Sequence, residues 1–156
     1  MIALQRPGQT PLEIEYLLID YEGVLATDGR VHPKAKDKIN LLAKRTSVYI
    51  LAKTGQVKVE ETLRKVKADV IFLTEGQASK EKLDLLRRLG PERTVVIGNG
   101  IDDVPILEEA GFSICAIGKE GASGEAIKRA GLIVTNILDA LDFLLKPLRQ
   151  KATLGK

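Results

Sequence analysis

Short apolar runs recur along the chain, and each is followed by a stretch in which apolar positions return every three or four residues. YLLI (16–19), VYIL (48–51), DVIFL (69–73), TVVIG (94–98), FSICAI (112–117) and LIVT (132–135) are continuous rather than alternating. Such runs predict strands buried on both faces. Helical spacing fills the intervals, near 34–44, 57–67, 79–89, 103–110, 123–130 and 137–145. Strand and helix in alternation predict βαβ units, and so an α/β protein with a three-layer α/β/α, Rossmann-like parallel sheet. Right-handed crossovers bring every strand's C-terminal end to one edge, where open α/β sheets bind their ligands. Residues 1–14 stand outside the rhythm and read as an N-terminal β-hairpin turning at Pro7-Gly8. No linker, repeat or insertion large enough for a second domain interrupts residues 1–156, which read as one domain with a tail over 146–156.

Composition narrows the class. Apolar residues make up 44% and charged residues 29% of 156, a globular balance with room for a real core. No apolar run reaches membrane-span length, and no signal-peptide pattern opens the chain. A single cysteine, Cys115, excludes an internal disulfide framework. The expected address is cytoplasmic, with no membrane partner. The net charge of +3 resides in the tail, where Lys146, Arg149, Lys151 and Lys156 meet no acid. A solvated terminus is the simpler reading of four scattered charges, and three Tyr with three Phe form no stacking platform, so nucleic acid is not an expected partner.

Three polar clusters fall just after strands, hence on the ligand-binding edge: Asp20-Tyr21-Glu22-Gly23, Lys53-Thr54-Gly55 and GNGIDD (98–103). Lys80 and Lys82 open the helix before the third. Several acids converging on one edge repel one another unless a cation intervenes. Hard oxygen donors suit Mg²⁺, which takes few carboxylates and keeps waters for a phosphate. A lysine and the backbone N–H groups of Tyr21 and Glu22 would add positive points for phosphate oxygens. A carboxylate nucleophile, a metal and a phosphate clamp together suit phosphoryl transfer through an aspartyl-phosphate. Each cluster also has a plain structural reading. Asp20 and Glu22 could mark a turn, and Asp102 and Asp103 could cap the helix that Pro105 begins. Convergence on one edge favours the functional reading. His32 reads as a surface loop residue, Cys115 as a core residue, and Gly121–Gly124 as a helix start rather than a phosphate cradle.

DYEGVL, the Lys-Thr-Gly turn, the lysine and GNGIDDVPIL, in that order, resemble the haloacid dehalogenase superfamily. GNGIDDVPIL is similar to that superfamily's Gly-Asp-Gly-x-Asn-Asp signature. IGNG, GKEGAS and ILDALDFLLKP resemble most the capless group called soluble P-type ATPases. The resemblance implies Asp20 as nucleophile and metal ligand, and Glu22 as acid/base and carbonyl donor to Mg²⁺. It implies Lys82, in preference to Lys80, as the cation that neutralises Asp20 and the phosphoryl group. Asn99, Asp102 and Asp103 would serve the metal, and Tyr21, Thr54, Gly55 and Lys80 the phosphate. ATDGR (26–30) would be a short flap beside the site. Four positions depart from the pattern: Glu22 stands for aspartate, Ala52 for a Ser/Thr, Asn99 for aspartate and Asp102 for asparagine. The implied activity is a Mg²⁺-dependent phosphatase acting on a phosphorylated small molecule through phospho-Asp20. An open, capless site would accept a large substrate or be closed by a neighbouring subunit in a dimer or tetramer. The departures support an alternative, a catalytically weak or inactive phosphate- and metal-binding protein serving as a subunit or sensor.

Overall fold

The computed structural model describes residues 1–155. It opens with an antiparallel hairpin, β1 (Ile2–Leu4) against β2 (Leu12–Ile14), which buries Leu4 and Ile14. Strand β3 (Tyr16–Asp20) follows. Next comes the small flap hairpin, β4 (Ala26–Thr27) against β5 (Arg30–Val31). Its turn needs two residues at positive φ, supplied by Asp28 at 51° and Gly29 at 75°. His32 ends the flap by capping α1 (Pro33–Leu42), its Nδ1 accepting the Lys34 N–H at 3.0 Å. The rest alternates strand and helix: β6 (Ser47–Ala52), α2 (Gln56–Thr62), β7 (Asp69–Phe72), α3 (Ala78–Leu89), β8 (Thr94–Gly98), α4 (Val104–Glu109), β9 (Phe112–Ala116), α5 (Gly124–Arg129), β10 (Leu132–Val134), α6 (Ile137–Leu145) and α7 (Pro147–Leu154).

The six longer-range strands form one parallel sheet in the order β10-β9-β8-β3-β6-β7. Helices cover both faces. Leu17, Ile19, Val48, Ile50, Val95 and Ile97 point to one face, packed with residues of α1, α2 and α6. Leu18, Leu51, Val96 and Cys115 point to the other, against Leu85 and Leu86 of α3, Ile106 and Leu107 of α4, and Ala126 of α5. Continuous apolar runs are what a strand buried on both faces requires, because successive side chains alternate between the two layers. The chain turns from β3 to β6 and β7 on one side, then crosses to β8, β9 and β10 on the other. The order therefore reverses between β3 and β8, and a crevice opens beyond their C-terminal ends.

Two expectations need correction. The segment after Lys146 is not a loose tail: Pro147–Leu154 form α7, and Gln150 is fully buried. Only Lys156 of that tail lies outside the described residues. The second helix is shorter than its periodicity predicts, ending at Thr62, after which the chain turns toward β7. Among the described residues, no helix is long and apolar enough to cross a membrane.

Candidate active site

Strand parity aims the central carboxylate. Leu18 faces the α3 layer, so Asp20, two residues on, faces the same way at the strand's end. From α3, Lys82 rises on the buried side of the helix that carries Leu85 and Leu86. Its ammonium reaches Asp20 Oδ1 at 3.1 Å, Asp102 Oδ2 at 3.1 Å and Asp103 Oδ1 at 2.7 Å. Lys80 stays exposed on the first turn, so Lys82 alone of the pair meets Asp20.

The loop after β8 is built around Asp103. Asp103 Oδ2 accepts the backbone N–H groups of Asn99 at 3.0 Å and Gly100 at 3.1 Å, closing the turn that leads into α4. A Cβ at position 98 would stand 2.6 Å from the Asp103 carboxylate, so only glycine fits there. Asn99 ties this loop to its neighbours: its Nδ2 donates to the carbonyls of Gly23 at 3.0 Å and Ala116 at 2.9 Å. Glu22 Oε1 accepts the Lys53 N–H at 2.9 Å, which links the loops after β3 and β6. The Lys53 ammonium lies 2.7 Å from Asp102 Oδ2.

These groups border a cavity of about 470 Å³ at the crevice, lined by Asp20, Glu22, Lys53, Asn99, Asp102 and Glu120 among others. Its electrostatics follow from burial and charge. Burial, with Asp103 alongside, pushes the Asp20 carboxyl up to about 8, although Lys82 pulls it down. Burial also works against the charge on Lys82, but Asp20 and Asp103 outweigh it and hold the ammonium above the ordinary lysine range. Asp102 is pressed upward by burial, yet Lys53 and Lys82 bring it below the ordinary carboxylate value.

The structure separates the candidate residues into three groups. Asp20, Glu22, Asn99 and Asp102 border the cavity. Lys82 and Asp103 are fully buried behind it. Asp103 differs from its expected place as a direct metal ligand, because one oxygen is held by Lys82 and the other by two backbone N–H groups. Thr54, Gly55 and Lys80 are exposed and do not line the cavity, so none is placed to hold a phosphate there. The Tyr21 N–H is also unavailable, since it donates to the Leu51 carbonyl at 2.9 Å, and the Tyr21 side chain is buried. Ala52 offers no position for a hydroxyl in the cavity, because it shares the parity of Val48 and Ile50 and packs on the opposite face. Sequence reasoning gave no role to Lys53 or Glu120. The signal for both was position, Lys53 directly after β6 and Glu120 in the loop beyond β9, on the edge where the motifs lie.

A divalent cation fits the donor set. Among the described residues, Asp20 Oδ2, Asp102 Oδ1 and Asn99 Oδ1 carry no hydrogen bond, and all three residues border the same cavity. Among the described residues no three His, Cys, Asp or Glu side chains are spaced to hold a metal by themselves. The ion would therefore draw on an amide or carbonyl oxygen and on water, as Mg²⁺ commonly does.

No family model matches the chain. An uncharacterized protein of Methanocaldococcus jannaschii is 40% identical over 81 residues, which span 51% of this chain and 87% of that one. Among solved structures, a 3-deoxy-D-manno-octulosonate 8-phosphate phosphatase from Moraxella catarrhalis, in complex with magnesium, phosphate and a KDO molecule, superposes with a TM-score of 0.70. It is 14% identical, over 86% of this chain and 87% of that one. A HAD family hydrolase from Streptomyces avermitilis gives 0.69 at 21% identity, over 88% of each chain. The cobalt-bound octulosonate 8-phosphate phosphatase of Haemophilus influenzae gives 0.69 at 15% identity, over 91% of each. The chain belongs to one family with the Methanocaldococcus protein, and its fold is that of the haloacid dehalogenase superfamily, with no cap domain inserted among the described residues.

Proposed function

We propose that this protein is a phosphatase that hydrolyses a phosphate monoester through an aspartyl-phosphate on Asp20, with Mg²⁺ as cofactor. The observation that carries the reading is the meeting of Asp20, Asp102 and Asp103 on the Lys82 ammonium, at the point where the strand order reverses. A buried lysine ringed by acids is a costly arrangement for structure alone. Solved structures of the same fold whose names describe phosphate-ester phosphatases, one holding magnesium and phosphate, support the same chemistry.

Asp20 and Asp102, with the Asn99 amide oxygen or the Glu22 carbonyl, would hold the metal, which when bound supplies positive charge to the ester's phosphate oxygens. Lys82 keeps Asp20 ionisable in a buried setting, and Asp103 keeps Lys82 and the loop after β8 in place. An Asp20 carboxylate oxygen attacks phosphorus, the P–O bond to the alcohol breaks, and Glu22 gives the leaving oxygen its proton. Water then attacks phosphorus, Glu22 takes its proton, and the acyl phosphate bond breaks to free phosphate and Asp20. Hydrolysis of an aryl phosphate at saturating Mg²⁺ tests the reading. The wild type turns over, Asp20→Asn is inactive, and Lys80→Ala keeps full activity. An inert wild type, or an active Asp20→Asn, rejects it.

A second reading, a catalytically weak or inactive binding subunit, is favoured by the placement of Ala52 in the core, which leaves the cavity without a hydroxyl after β6. Its signature is joint binding of Mg²⁺ and beryllofluoride without turnover. Self-association that covers the open cavity belongs to the proposal and is read by sedimentation.

A further inference from the structure

The donors available to a phosphate in this cavity can be counted. An ammonium has three N–H groups. On Lys82 all three are taken, one each by Asp20, Asp102 and Asp103, and the side chain is 0% exposed. Lys82 therefore has nothing left to offer a substrate oxygen unless one of these bonds breaks. Of the helix starts only that of α5 reaches the cavity, with Gly121, Ala122 and Ser123 in the wall, and these bring no charge; Thr54 and Gly55 do not line it and Lys80 is on the outer surface.

The cavity wall itself is acidic. Asp20, Glu22, Asp102 and Glu120 line it, and among the described residues Lys53 is its only cation. A phosphate dianion entering such a wall meets repulsion on several sides. Lys53 differs from Lys82 in each respect that matters. Its ammonium has one carboxylate partner among the described residues, Asp102 Oδ2 at 2.7 Å, so two N–H groups remain. Its side chain is 42% exposed and borders the cavity. Its backbone is fixed where β6 ends, with the N–H held by Glu22 Oε1 at 2.9 Å, so the stem starts from an anchored point beside the nucleophile's loop.

We propose that Lys53 is the group that binds the substrate's anionic phosphate, in the role the missing hydroxyl at Ala52 and the fully engaged Lys82 leave open. The inference rests on the phosphatase reading for its biological meaning, but it is tested by binding alone. Lys53 stays paired with Asp102 at one donor while the remaining two N–H groups meet phosphate oxygens, which makes the contact a charge-assisted one. The Asp102 pairing also keeps the ammonium over the cavity when no substrate is present.

Calorimetric titration of inorganic phosphate into the full chain at saturating Mg²⁺ reads the site directly. Lys53→Met keeps most of the stem and removes the charge, and it weakens phosphate binding about tenfold to a hundredfold. Lys53→Arg restores binding to within a few-fold, because the charge and donors return. Lys80→Ala leaves it unchanged. With the aryl phosphate, Lys53→Met raises KM by a similar factor and changes kcat little. Unchanged phosphate affinity in Lys53→Met overturns the proposal, as does a wild type that binds no phosphate. The two readings fail separately. Lys53-dependent phosphate binding by a chain that never turns over sinks the hydrolase and spares Lys53. Turnover that needs Asp20 while phosphate affinity and KM ignore Lys53 does the reverse.

Discussion

Three carboxylates share one ammonium at Lys82, and that balance decides what single substitutions do. Asp103 is fully buried and Asp20 nearly so, so removing the lysine leaves these two acids facing one another with no cation in contact, and only Asp102 keeps Lys53. Lys82→Met should destabilise the chain by about 3–5 kcal/mol in urea denaturation, whereas Lys80→Met, on the surface, should stay within about 0.5 kcal/mol. A Lys82→Met protein as stable as the wild type would mean that the cluster does not depend on this charge. Ala52 gives the opposite lesson. Restoring a threonine where the resemblance implies a Ser/Thr looks like a repair, but the side chain points into the closed core beside Ile50. Ala52→Thr should cost about 1–3 kcal/mol of stability through overpacking and leave aryl-phosphate turnover no higher. The sequence singled out Asp20, Glu22 and Asp102 because they follow strands, and Lys82 because leucines at i+3, i+4 and i+7 mark the buried face of its helix. It could not tell which of them face the cavity. That depends on strand parity at the last residue, and one position separates Ala52 in the core from Lys53 at the mouth.

At the scale of elements, the central strands β3, β6, β8 and β9 were readable because they are buried on both faces and must be apolar nearly throughout. Helix α7 was not readable. Lys146-Pro147 looks like a helix stop, and the following segment carries basic residues with few apolar ones. Proline is nevertheless at home in a first turn, and here it starts the helix. What docks α7 is a polar side chain whose partners are far away in sequence. Gln150 donates to the carbonyl of Phe143 at 2.8 Å and accepts the Gln5 N–H at 2.8 Å, joining the end of α6 to the N-terminal hairpin. No local pattern announces a bond across 145 residues. Gln150→Leu keeps the volume but strands the Gln5 N–H and the end of α6. It should lower stability by about 1–3 kcal/mol, with the loss seen as faster amide exchange in the hairpin. Normal exchange there would show that the hairpin is held by Leu4 and Ile14 alone.

For the molecule as a whole, the acid cluster makes stability depend on pH. Asp20 titrates near 3.8 when unfolded and about 8 when folded, because burial and Asp103 penalise its charge. Between those values the folded chain holds a proton that the unfolded chain has released. The extra stability is complete below the lower value and is lost as pH rises toward the upper one, by at most about 1.4 kcal/mol per pH unit. Neighbouring groups do not mask this window. Asp102 is shifted downward, so its contribution is already in place above pH 5, and Lys82 is shifted upward from a value near 10.5, so its contribution persists through pH 8. In metal-free buffer the wild type should therefore unfold at lower urea at pH 8 than at pH 5.5. Asp20→Asn, which is neutral throughout and still accepts from Lys82, should lose that slope and exceed the wild type in stability at pH 8. Parallel profiles for the two proteins would mean that Asp20 ionises in the fold as easily as in water. The nucleophile would then need no cation to prepare it.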